Sequence, residues 1–128
     1  MRFFNYFRKK TPIEPQQDPN DIRAARLIET YGFEFDKIPG EEIRRLLESE
    51  LLSPRKGSGE YMRVLCGYLF CIGNPEDADI IEMTKYSAHM DLGCMVDQAW
   101  IDSLEGNNED IPAREELIRE FVEYYKNF

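Results

Sequence analysis

The chain has 128 residues, 42% apolar and 32% charged, with a net charge of -9. That length fits one domain of the usual ~100–200 residues, and a domain of this size buries roughly two thirds of its unfolded surface, enough to fold without a metal or disulfide. The acidic balance argues against nucleic acid as a partner, because phosphate binding is driven by Lys and Arg, and no stretch approaches the ~20 apolar residues of a membrane-spanning helix.

The three cysteines, Cys66, Cys71 and Cys94, leave one thiol free under any pairing and form no C-x-x-C motif. A reducing, cytoplasmic setting is the expectation. The segment MRFFNYFRKK has aromatic residues broken by Asn5 and basic groups, without the continuous apolar run of a secretory signal. Charge is unevenly placed along the chain. Residues 1–73 carry 12 Lys/Arg against 11 Asp/Glu, and residues 74–128 carry 4 against 14, balances of +1 and -10. Such an acidic half suits a basic protein surface, since opposite fields speed encounter and reject wrong partners.

In chain order, residues 1–17 form a basic aromatic arm (Phe3, Phe4, Tyr6 and Phe7 among Arg2, Arg8, Lys9 and Lys10) linked by Pro12 and Pro15 to a single helical domain, 18–128. The arm reads as a frayed terminus or a segment packed on its own domain rather than as a membrane anchor. Asp18-Pro19 starts a first helix by supplying a capping side chain and a residue that lacks the orphaned donor. It runs to Tyr31, with Ile22, Ala25, Leu27 and Ile28 inward and Gly32 as its stop. Phe33, Phe35 and Ile38 predict an apolar loop pinned to the core.

A second helix, 40–52, carries Ile43, Leu46, Leu47 and Leu51 at helical spacing, with Arg44, Arg45, Glu48 and Glu50 outside. The connector Arg55-Lys56-Gly57-Ser58-Gly59 places its Lys before the glycines and follows no strand, so it is no phosphate loop. The third helix, 60–72, is apolar around almost its whole circumference and must be covered on several sides. Gly67 within it marks a close approach of another element. Gly73-Asn74-Pro75-Glu76-Asp77 then ends one helix and caps the next, which runs over 75–87 with Ala78, Ile80, Ile81 and Met83 as its apolar set. A fifth helix capped by Asp91 reaches Leu104, with Trp100 in its core stripe. A sixth begins near Asp110 to Pro112, burying Leu117, Ile118, Phe121, Val122 and Tyr125 and exposing Glu115, Glu116, Glu120 and Glu123. The fold class is therefore all-α, a compact bundle of about six helices.

No catalytic motif stands out, and the chain reads as a non-enzyme without a cofactor. His89, Asp91 and Cys94 are the only grouping that could offer nitrogen, oxygen and sulfur to a metal, short of the ligand count a zinc site uses. Cys66 and Cys71 point to different sides of one helix and read as packing groups. The segment Gly106 to Asp110 lacks the residue order of a calcium loop.

The run Leu69-Phe70-Cys71-Ile72-Gly73-Asn74-Pro75-Glu76-Asp77-Ala78-Asp79-Ile80-Ile81, followed by a further helix pair, resembles the helical hairpins of HEAT and armadillo-like repeats over residues 59–106. The resemblance implies antiparallel hairpins. In size, charge and type the whole chain also resembles the small acidic bacterial proteins that include toxin immunity proteins. That likeness implies a protein-binding role and transfers no residue.

The expectation is thus an immunity-type or adaptor module whose acidic surface binds a basic partner such as a nuclease toxin. Glu109, Asp110, Glu116, Glu120 and Glu123 are the candidate contact charges. Two alternatives are a small metal-dependent enzyme around His89, Asp91 and Cys94, and a subunit that self-associates as a homo-oligomer through an apolar face.

Overall fold

The computed structural model describes residues 19–53, 59–87, 96–107 and 109–128. They form α1 (Pro19–Tyr31), α2 (Gly40–Leu52), α3 (Gly59–Ile72), α4 (Ala78–Lys85), α5 (Gln98–Leu104) and α6 (Arg114–Tyr125). Short 3-10 turns lie at Phe35–Lys37 and Pro75–Asp77, and there is no strand among the described residues. No helix among them is long and apolar enough to cross a membrane.

The near-total apolarity of α3 is what makes it the centre. Every residue from Val64 to Cys71 is buried, and α1, α2, α4 and α5 all pack on this one helix. Gly67 gives α6 room to approach: a Cβ there would lie 2.1 Å from Phe121 Cε1. Phe121 in turn meets Phe35, Tyr68, Trp100 and Tyr125 at ring-centroid distances of 6.3, 5.8, 6.0 and 5.0 Å. Trp100 is core as expected, stacked on Phe70 at 5.9 Å. The phenol of Tyr68 reaches the far end of α1 and donates to the Gly32 carbonyl at 2.9 Å.

Local signals set most of the helix ends. Gly32 and Gly73 take φ of +66° and +92° just past α1 and α3, a conformation a glycine adopts without a Cβ penalty. Asn74 caps the 3-10 turn that leads into α4, its side chain accepting from the Glu76 N–H at 3.0 Å.

The structure corrects the sequence at six points, the first being the helix expected over 75–87, which is a 3-10 turn at Pro75–Asp77 followed by α4 ending at Lys85. The inward stripe of α1 is Ala24, Leu27, Ile28 and Tyr31, and Ile22 is turned outward. Glu50, expected on the outer face of α2, is buried because Arg23 of α1 pairs with it at 2.7 Å. On α4, Thr84 takes the buried place and Met83 is exposed; the Thr84 hydroxyl satisfies itself by donating to the Ile80 carbonyl at 2.8 Å. The fifth helix does not run unbroken from residue 91: Val96 and Asp97 are not helical, and Asp97 caps α5 by accepting from the Ala99 N–H at 2.9 Å. The last helix starts at Arg114 rather than near residues 110–112, since Asp110 lies at φ +62° and Ala113 is extended.

Candidate functional site

Helix α6 buries Leu117, Phe121 and Tyr125, one residue per turn along a single stripe. That spacing leaves Glu115, Glu116, Glu120 and Glu123 exposed on the other side, together with Glu109 and Asp110 in the preceding segment. All five candidate contact charges therefore face solvent. Glu123 is paired with Lys126 at 3.1 Å across one turn, a contact between exposed groups of about 0.2–1 kcal/mol.

The cations of this half behave differently. Residues 74–128 hold only Lys85, Arg114, Arg119 and Lys126. Arg114 turns inward, donating to the Cys71 carbonyl at 2.9 Å with its guanidinium 4.8 Å from the Phe70 ring centre. It thereby places positive charge at the carbonyl end of α3, where the helix dipole favours it. Lys85 donates to the Val96 carbonyl at 2.6 Å. Two of the four cations thus serve backbone carbonyls.

Between the start of α2 and the turn at Pro75–Asp77 lies a cavity of about 590 Å³, lined by Glu41, Arg44, Glu76, Asp77 and Asp79 among others. Arg44 is held there by Asp77 at 2.5 Å, Glu48 at 3.1 Å and Asp79 at 3.7 Å. The Asp77 hydrogen bond, first among these, holds its guanidinium above the ordinary range. A second groove of about 530 Å³ runs between α1 and the end of α6, lined by Ile22, Ala25, Ile28, Tyr125 and Phe128 among others.

The remaining polar groups in the interior read as structural. Arg63 donates to the Tyr125 hydroxyl at 2.8 Å, and that hydroxyl donates to Glu60. Burial opposes the charge on Arg63, but Tyr125 and Glu60 outweigh it and its pKa stands raised. Burial pushes the thiols of both Cys66 and Cys71 up to about 12, so neither is a nucleophile at neutral pH.

His89, Asp91 and Cys94 lie outside the described residues, as do the arm 1–17, Asp18 and the connector 54–58. Among the described residues no group of three or more His, Cys, Asp or Glu is placed to hold a metal. The sequence reading missed the pairing of Arg44 with Asp77, 33 residues apart, and the exposure of Met83 and Tyr86.

No family model matches the chain, and no curated protein or solved structure is significantly similar to it.

Proposed function

We propose that the protein is a protein-binding module, an immunity-type or adaptor protein of the cytoplasm that meets a basic partner, such as a nuclease toxin, with its acidic helical surface. One observation supports this most: the acids of residues 109–123 point outward while Arg114 and Lys85 are turned onto backbone carbonyls. A field of one sign raises the encounter rate with an oppositely charged protein and is screened by salt. Glu109, Asp110, Glu116, Glu120 and Glu123 are its contact charges, presented by a helical scaffold with HEAT-like hairpins. Inhibition of a toxin would follow from covering its active surface.

The test is stopped-flow association with the basic protein encoded beside this gene, at rising salt. Reversing the five acids to Lys should slow association by about tenfold or more and flatten the salt dependence. Unchanged rates overturn the proposal. The metal-enzyme alternative rests on His89, Asp91 and Cys94 alone, and elemental analysis of untagged full chain decides it by the presence or absence of stoichiometric metal.

A further inference from the structure

The outward stripe of α4 carries something that charge alone does not explain. Asp79, Glu82, Met83 and Tyr86 follow at i, i+3, i+4 and i+7, one face of a helix, and all four are exposed, Met83 to 62% and Tyr86 to 65%. Tyr86 is nevertheless held in place. Its hydroxyl donates to Gln98 Oε1 at 2.8 Å, and Gln98 Nε2 donates to Asp102 Oδ1 at 3.1 Å. These bonds tie the ring to α5 while leaving most of it in water.

Acidic groups accompany this apolar pair: Asp79 and Glu82 on the same stripe of α4, and Asp102 on α5 through the Gln98 bridge. Lys85 gives its ammonium to the Val96 carbonyl and stands 5.8 Å from the Tyr86 ring centre, and Arg44 reaches Asp79 at 3.7 Å. An apolar centre with a charged rim is the composition of a protein interface, where Tyr and Met are enriched at the middle. A ring already fixed by hydrogen bonds loses little freedom on binding, and a flexible thioether adapts to the side chain set against it.

Resting on the acidic-surface reading above, the geometry points to the α4–α5 face as an apolar seat that adds to those contact charges, and to a basic amphipathic helix of another protein as its occupant. Apolar side chains of that helix, one turn apart, would seat on Met83 and Tyr86, and its Lys or Arg residues would meet Asp79, Glu82 and Asp102.

The test titrates the full chain with a labelled amphipathic Leu/Lys peptide of about 14 residues, long enough to be helical when bound, in about 0.15 M salt. The methyl resonance of Met83 is followed by NMR, assigned with Met83→Leu. The Met83 signal should shift on binding. Met83→Ser/Tyr86→Ser, checked for an unchanged unfolding midpoint, should weaken affinity about tenfold or more. Exposed acids on the α1–α2 side serve as the control, and Glu29→Gln/Asp36→Asn should change it by about threefold or less, while a peptide with Ser for Leu should bind about tenfold more weakly. Full affinity in the Met83/Tyr86 variant, with a loss only in Glu109→Gln/Glu116→Gln/Glu120→Gln, overturns the apolar seat and leaves the acidic reading standing. No binding of the basic peptide to any form overturns both. Binding that arises only when Phe3, Phe4 and Phe7 are changed to Ser gives the face to the chain's own arm and overturns the external occupant.

Discussion

The two halves of the molecule use charge in opposite ways. On the α1–α2 side, acids and bases are spent on each other: Arg23 holds buried Glu50, and Arg44 holds buried Asp77 with Glu48 and Asp79 around it. Farther along the chain, Arg114 and Lys85 serve backbone carbonyls, and Glu82, Glu115, Glu116 and Glu120 stay in solvent. Charge in the first region holds helices together, and in the second it is presented outward. Both regions rest on α3, whose apolar surface they divide between them.

The largest effect should come from damage to that shared support. Leu65 is fully buried, so Leu65→Ala should lower stability by about 2–5 kcal/mol. A denaturation midpoint near that of the parent would remove α3 from the centre.

The contrast itself is tested next. Arg23→Ala strands the buried carboxylate of Glu50 and should cost about 1–3 kcal/mol, whereas Arg23→Met with Glu50→Leu should recover most of that, since a buried pair adds little over apolar groups of like volume. If the double variant is as unstable as the single one, the ion pair is not what holds α1 to α2.

The interior of α3 makes stability limited by alkali. Cys66 and Cys71 rise from an ordinary 9.0 to about 12 in the fold because burial disfavours the thiolate. The unfolded chain therefore gives up these protons first, and above about pH 9 it binds fewer protons than the native state. Stability from this source is intact below about pH 9 and falls toward pH 12, by about 1–3 kcal/mol at pH 10. Tyr31, raised to about 12 by burial and by Glu42, acts in the same direction. Urea midpoints read from about pH 7 to pH 10 that stay flat would contradict this.

The smallest effect is expected on the acidic face. Glu116→Gln, Glu120→Gln and Glu123→Gln together touch no buried group and should each leave stability within about 0.5 kcal/mol. A loss of the size seen for Arg23→Ala would mean that these acids also hold the fold together, and the difference between the halves would disappear.

Much of this architecture was legible in local chemistry. The limits of α1 and α2 follow from Gly32 and from the run of Ile43 to Leu51, and the centrality of α3 from its unbroken apolarity. The exposed acids of α6 follow from the spacing of Leu117, Phe121 and Tyr125. The face of α4 was harder, because an eight-residue helix with Ile80, Ile81 and Met83 allows more than one inward register, and a Thr that bonds its own helix can be buried as readily as a Met.

By itself, then, the sequence determined the all-α class, most helix ends and the charge of each half, since propensity, capping and composition act over a few residues or as simple sums. Only the tertiary structure decided which charges are spent and which are presented. Arg23 and Glu50 stand 27 residues apart, Arg44 and Asp77 33, Arg114 and Cys71 43. A side chain commits to such a partner only once the packing of α3 brings the elements together, and that same packing put Met83 and Tyr86 in water on the stripe that carries Asp79 and Glu82.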